Sequence, residues 1–218
     1  ISYELENKLI KDGKEDLLKS LNHIRNNINI ISLRQKEALG LGHAIRCAKT
    51  IVGNDPFAVL LGDEITIPKN NDENVTRFLC DQFSATEASS VWVLPVQAHQ
   101  TEKYGIVDLG SSKFDQLDNG TKIMGVVEKP KSEKAPSLWA LPGRYVFDAK
   151  IFDYIDKIKP GHNGELQLSD AMNMLAKSQN MNAYSFNARR FDAGDKLGYL
   201  IANIELALDR DDLKHELY

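Results

Sequence analysis

The segment Asp55-Pro56-Phe57-Ala58-Val59-Leu60-Leu61-Gly62-Asp63-Glu64 constrains the fold more than any other. An unbroken apolar run, opened by proline and closed by glycine and two carboxylates, is too short for a helix. It also lacks the alternation of a half-exposed strand. It suits a strand covered by helices on both faces. Ser90 to Val96 (SVWVLPV) repeats the pattern, and Glu73 to Phe83 between them has helical spacing. Strand, helix, strand predicts an α/β chain with a mixed, mainly parallel, Rossmann-like sheet and helices on both faces.

The flanking segments fill out this frame. Leu5, Leu9 and Ile10, then Leu17, Leu18, Leu21 and Ile24, recur at helical spacing, and Asp12-Gly13 breaks them into two helices. Ile28 to Leu33 reads as a strand and Gly42 to Val52 as a helix. Gly105 to Asp108, Ile123 to Glu128 and Leu138 to Phe147 are joined by Gly-, Asn- and Pro-rich turns and predict an antiparallel insertion. Helices follow at Ala149 to Ile158, Ser169 to Lys177 and Lys196 to Asp209, with a short strand near Asn182 to Phe186. No segment reads as an interdomain linker, so residues 1–218 are expected to form one domain.

Composition excludes several classes. A net charge of −4, with no Lys/Arg block, argues against a nucleic-acid partner. No apolar run approaches the roughly 20 residues that span a bilayer, and no signal peptide opens the chain. Cys47 and Cys80 form no CxxC pair, which favours reduced thiols and a cytoplasmic location.

Six segments carry chemistry. Arg34 to Ala44 (RQKEALGLGHA) joins a strand end to a helix start through glycines, which let a flat ring approach the backbone. Gln35 there can both donate to and accept from a pyrimidine edge. A plain strand-to-helix turn is the other reading of the segment. Asp63 sits past the carboxyl end of a strand, where open α/β sheets bind ligands, and could hold Mg²⁺ or merely close a turn. Tyr104-Gly105-Ile106-Val107 is the third segment. In Val126-Val127-Glu128-Lys129-Pro130, the Glu suits two vicinal sugar hydroxyls and the Lys a phosphate. Strand neighbours point to opposite faces, so both reach one ligand only if the strand ends there, as Pro130 suggests. In Gly164 to Ala171 (GELQLSDA), Ser169 reads as a helix cap and Glu165 and Gln167 as backbone partners. Asp192, in RFDAGDKLGY, is a second metal-facing carboxylate or a turn residue.

Together and in this order these segments resemble the bacterial UTP–glucose-1-phosphate uridylyltransferases. The likeness runs through RQKEALGLGHA, PFAVLLGDE, KYGIVD, MGVVEKPK, PGRYVF, GELQLSDA and FDAGDKLGY. It implies the nucleotide-diphospho-sugar transferase fold. It also implies uridylyl transfer from UTP to glucose 1-phosphate, giving UDP-glucose and pyrophosphate with Mg²⁺. Under the resemblance Gln35 and Gly40 contact uracil, Asp63 is the principal Mg²⁺ ligand and Asp192 a second carboxylate near it. Gly105 and Gly143 offer backbone to the sugar, Glu128 takes its hydroxyls and Lys129 its phosphate. A homodimer or homotetramer is expected.

The family's amino-terminal glycine-rich loop, of the type GxGTRxLPxTKxxPKE, has no match here. The expectation is a chain without its first strands and without turnover of its own. Gly62 stands where the family often has Pro, and Pro142 before Gly143 hints at an edge or a bulge. A dTTP-type nucleotidyltransferase and a non-catalytic sugar-nucleotide-binding fragment are the alternatives. An NAD-dependent dehydrogenase has less support, because no complete dinucleotide fingerprint is present.

Overall fold

The computed structural model describes residues 3–69, 74–111, 120–161, 164–178 and 181–216. Contacts divide the chain into two units, residues 1–34 and 35–218. In the first, α1 (Tyr3–Lys11) and α2 (Glu15–Asn27) pack together around Leu9, with Arg25 reaching Glu6 at 3.5 Å. The break falls at Asp12-Gly13, as the sequence predicts. Ile28 to Leu33 differs: it is irregular and exposed, with Ile30 at 79%. β-branched residues favour a pleated surface, but a strand needs a partner ladder, and none pairs with this segment among the described residues.

The second unit begins with α3 (Gly40–Arg46) and α4 (Lys49–Val52), then β1 (Phe57–Leu60) and β2 (Glu64–Pro68). Next come α5 (Val75–Thr86), β3 (Ser89–Pro95), β4 (Gly105–Asp108), β5 (Thr121–Lys122) and β6 (Gly125–Glu128). β7 (Trp139–Leu141), β8 (Arg144–Phe147), α6 (Ile151–Ile155) and α7 (Leu168–Ser178) follow. β9 (Met181–Ser185), β10 (Ala188–Asp192) and α8 (Lys196–Leu208) complete it. The predicted start of α5 at Glu73 lies outside the described residues. Asn74 caps that helix, accepting from the Arg77 N–H at 2.8 Å.

The sheet runs β1-β8-β3-β7-β4-β6, with β9 also beside β3 and β5 beside β9. Only β3 and β9 pair in parallel; every other described pairing is antiparallel. The expected mainly parallel sheet is therefore corrected. An apolar run does not report the direction of the neighbouring strand. Here β8 returns between β1 and β3 and runs against both.

Coverage follows the same strands. Val91 and Val93 face a core with Phe147, Phe152, Met172 and Leu175, whereas Trp92 between them faces Val75, Leu79 and Tyr184. α6 and α7 thus cover one face of β3 and α5 the other. β1 has one covered face only: Phe57 and Val59 pack inward, while Ala58 and Leu60 are exposed.

The predicted strand Leu138 to Phe147 is two strands. β3 pairs with β8 at Ser90–Val146 and Val91–Tyr145, but with β7 at Leu94–Ala140 and Pro95–Trp139. The register slips by two residues at Pro142-Gly143, a bulge. Gly143 has φ 123, and a Cβ there would lie 2.8 Å from Leu61, so both backbone and space demand glycine. The slip sends β8 to pair with β1 and β7 with β4, opening a fork in the sheet where the pocket lies.

Candidate active site

The fork positions the loop after β1. The Leu61 N–H donates to the Gly143 carbonyl at 3.1 Å. Arg144, 8% exposed, donates to the Leu61 carbonyl at 3.1 Å and also to that of Glu64. Burial pulls the Arg144 guanidinium below its ordinary value, against the charges of Glu64 and Asp63. The loop is thereby pinned on both sides of Asp63, whose own carboxylate stays exposed.

β2 and β10 form a two-stranded ribbon with Glu64 opposite Asp192. Neither strand is among the predicted elements, because EITIP and ARRFD are short and interrupted by charge or proline. The Asp63 carbonyl accepts the Ala193 N–H at 2.8 Å, extending the ribbon to the turn. Asp192 Oδ1 accepts the Gly194 N–H at 3.0 Å. A Cβ on Gly194 would lie 2.9 Å from Asp63 Oδ2 and 3.1 Å from Asp192 Oδ1. Two carboxylates therefore flank one small space that glycine leaves open. Asp195 caps α8, accepting from Gly198 at 2.8 Å, and a Cβ on Gly198 would strike the Asp192 carbonyl at 1.8 Å. Each conspicuous residue of DAGDKLG has a local task.

A cavity of about 330 Å³ collects most of the predicted groups. Asp63, Gly105, Glu128, Lys129 and Asp192 line it, with Leu141 and Pro142 from the fork. Gly105 pairs with Glu128 on one side and Leu141 on the other, so backbone forms that wall. β6 ends at Glu128, and Lys129 takes φ 44 with its N–H donating to the Tyr104 carbonyl at 3.1 Å. The left-handed residue, costly for a non-glycine, brings neighbouring side chains to one pocket. Asn173 on α7 secures β6 by bonding both the N–H and C=O of Val126, at 2.6 and 2.8 Å.

Other predicted residues stand elsewhere. Gly143 lies behind the wall, its carbonyl taken by Leu61 and Arg144. Gly40 and Gly42 are explained first by the protein's own packing. Cβ atoms there would lie 2.8 Å from Glu165 and 2.6 Å from the Leu166 carbonyl. The Leu39 to Gly42 turn is laced to Leu166 by two backbone hydrogen bonds, and Leu41 from that turn reaches the cavity. Gln35 Nε2 donates to the Gly40 carbonyl at 3.2 Å and approaches His43 Nδ1 at 2.8 Å. Because the carbonyl can only accept, the amide nitrogen faces inward and Oε1 is the side left to accept.

Sequence reasoning missed Glu64, Arg190, Tyr104 and Tyr145 as pocket residues and treated Glu165, Gln167 and Ser169 as structural; all seven line the cavity. Arg190 forks onto Glu64 at 2.7 and 2.8 Å, reaches the Tyr104 hydroxyl at 2.8 Å and Asp192 Oδ2 at 3.3 Å. Burial pulls the Arg190 guanidinium down, but the hydrogen bonds and charge of Glu64 outweigh it and hold it above its ordinary value. Glu64 is 4% exposed. Breaking such a buried pair from one side costs about 3–5 kcal/mol. Burial also pushes the Tyr145 phenol up, with Glu128 and Glu64 adding to the effect, so it stays neutral beside the acids.

A nucleotidyl transferase family model matches residues 7–207. The chain belongs to the nucleotidyl transferase family. Within it, UTP–glucose-1-phosphate uridylyltransferase 1 of Staphylococcus saprophyticus is 41% identical over 214 residues, 98% of this chain and 72% of that protein. This nucleotidyl transferase is thus a homologue of the uridylyltransferases and spans about 72% of their length. The UTP-bound UDP-glucose pyrophosphorylase of Acinetobacter baumannii superposes with a TM-score of 0.85 at 36% identity, over 99% of this chain and 73% of that one. A UDP-glucose pyrophosphorylase complexed with UDP-glucose gives 0.82 at 33%, over 91% and 74%. Among the described residues, no helix is long and apolar enough to cross a membrane.

Proposed function

We propose that the site binds UTP, glucose 1-phosphate and UDP-glucose, and that the parent activity is uridylyl transfer with Mg²⁺ and release of pyrophosphate. The observation that carries this is the meeting of Asp63, Asp192, Glu128 and Lys129 around one cavity, in a chain similar to one protein with UTP bound and another with UDP-glucose bound. The space bounded by Asp63 and Asp192, which a Gly194 Cβ would fill, fits a small hard cation held by one or two carboxylates and substrate phosphates. When bound, Mg²⁺ would neutralise phosphate charge.

The chain's own groups do the rest. Glu128, at the end of β6 opposite the backbone of Gly105, accepts from vicinal sugar hydroxyls. Lys129 holds the sugar phosphate as it attacks the α-phosphorus directly, with no covalent enzyme intermediate. Alignment and charge are the protein's contributions. The Leu141–Gly143 segment closes the sugar side. Gln35 Oε1 accepts the uracil N3–H, beside the backbone of Gly40.

Residues 1–218 are read as one nucleotidyltransferase domain, in keeping with the family match over 7–207. Cytoplasmic location and a homodimer or homotetramer complete the reading; exposed Leu197, Leu200, Ile201 and Ile204 on α8 favour association. The resemblance gives the β- and γ-phosphates to a glycine-rich loop without counterpart in this chain. We therefore expect this chain to bind UDP-glucose but not to turn over.

Calorimetry with UDP-glucose, dTDP-glucose and CDP-glucose, with and without Mg²⁺, tests the binding. A pyrophosphate-release assay beside a full-length relative tests the turnover. Tenfold preference for dTDP-glucose would defeat the uridylyl reading. Turnover at a tenth of the relative's rate would defeat the claim that the loop is required.

A further inference from the structure

We propose that Arg190 is a positioning residue that holds Asp192 in line with Asp63. The inference rests on the reading of Asp192 as the second cation-facing carboxylate, and it comes from how that side chain is held. Asp63 offers an exposed carboxylate at a loop tip. Asp192 is bound at both oxygens: Oδ1 by the Gly194 N–H at 3.0 Å, and Oδ2 by Arg190 and the Tyr104 hydroxyl, each at 3.3 Å. Only one of these three donors is itself locked by a buried countercharge. Arg190 Nε and Nη2 lie 2.7 and 2.8 Å from the two oxygens of Glu64, whose side chain is 3% exposed against 19% for Arg190.

The geometry makes Glu64 an anchor and Arg190 a lever. Residues 190 and 192 lie on the same face of β10 because strand side chains alternate, and Glu64 sits opposite Asp192 in the ribbon. The planar fork can bind Glu64 with one edge and still present Nη1 to Tyr104 and the remaining Nη2 hydrogen to Asp192. The guanidinium also stands 5.0 Å over the Tyr104 ring, steadying the third donor. Lysine has no such planar fork and could not serve these partners together. Without Arg190, Asp192 would keep one backbone donor and the Tyr104 hydroxyl, and its rotation about χ2 would be freed. Asp192 Oδ1 would then leave the Gly194 amide and the space shared with Asp63.

The Gly194 amide reports this directly and needs no ligand. Its solvent-exchange rate, measured by NMR, should rise at least tenfold in Arg190→Met, with the amides of Val91 and Val93 in β3 unchanged. Arg190→Met strands a buried Glu64 and could unfold the chain. Glu64→Leu/Arg190→Met removes both charges, a change usually tolerated, and should show the same tenfold rise in a folded protein. Exchange at Gly194 within twofold of wild type in the folded double variant would overturn the proposal. A second arm measures UDP-glucose binding with and without Mg²⁺. The double variant should lose about tenfold more affinity in Mg²⁺ than without it, and equal loss in both conditions would overturn the proposal. Absence of UDP-glucose binding by the wild type would instead reject the functional reading, and the Gly194 amide would still decide the role of Arg190.

Discussion

Glu128 and Lys129 are consecutive residues, yet both line one cavity, because the strand ends at Glu128 and Lys129 takes φ 44. A regular strand would have sent them to opposite faces. Their chemistry differs, so their loss should differ. In a full-length relative carrying this site, Glu128→Gln should relax discrimination among sugar 1-phosphates, because the amide recognises the hydroxyls differently. Lys129→Ala should weaken every sugar 1-phosphate about equally. Kinetics across glucose, galactose and mannose 1-phosphates check this; the same profile for both variants would reject the division of roles.

The Gly194 space can be closed without touching a carboxylate. Gly194 has no left-handed φ, but an added Cβ would stand 2.9 Å from Asp63 Oδ2. Gly194→Ala should therefore keep the fold while displacing the carboxylates that would hold the cation. Asp63→Asn should act alike by losing charge rather than space. Both should abolish any Mg²⁺ enhancement of UDP-glucose binding and leave the Mg²⁺-free affinity within about twofold. Calorimetry with both conditions is the check, and an unchanged enhancement in Asp63→Asn would make Asp63 a turn residue.

Gln35 and His43 make a prediction about the base. The Gly40 carbonyl and His43 Nδ1 both face Gln35 Nε2, which leaves Oε1 for an imide N–H. Uracil has that donor at N3, and cytosine has an acceptor there. His43→Leu removes one of the two groups that fix the amide, so the amide can turn over. Preference for UDP-glucose over CDP-glucose should fall by about tenfold, the scale of one hydrogen bond. Competition binding measures it, and unchanged preference would show that Gly40 alone suffices.

Much of this arrangement is legible in the sequence, and the remainder has a physical reason for being hidden. Asp63, Glu128, Lys129 and Asp192 carry local signals (a strand ending in glycine and acid, a Glu-Lys-Pro end, an acid before glycines) that suit a turn or an exposed pair equally well, and it is the resemblance that singles them out. Their meeting in one cavity does not, since it depends on the register slip at Pro142-Gly143, of which the proline gives only a hint. Arg190 and Glu64 are 126 residues apart, and each reads alone as an ordinary surface charge. Strand direction is equally hidden, as β1 shows by pairing antiparallel to β8 despite its unbroken apolar run. Ile28 to Leu33 carries every local strand signal and forms no strand, because local preference does not supply a neighbour.

The last prediction concerns stability and lies away from the cavity. Asp156, just after α6, accepts from Arg46 Nε at 2.6 Å and Lys49 Nζ at 2.7 Å. The hydrogen bond from Lys49, followed by that from Arg46, holds its carboxyl below the ordinary value of 3.8. The folded value is depressed, so the contribution is fully present above the unfolded value and fades as pH falls through the folded one. All three side chains are at least a third exposed, so solvent screens the cluster and the effect is small. Asp156→Asn should lower Tm by about 1–3 °C at pH 7. That difference should hold down to about pH 5, shrink below pH 4 and shrink also in 1 M salt. Thermal melts of both proteins across that range are the check. A difference that grew on acidification would mean that Asp156 gains a proton on folding, the reverse of what its two cationic neighbours dictate.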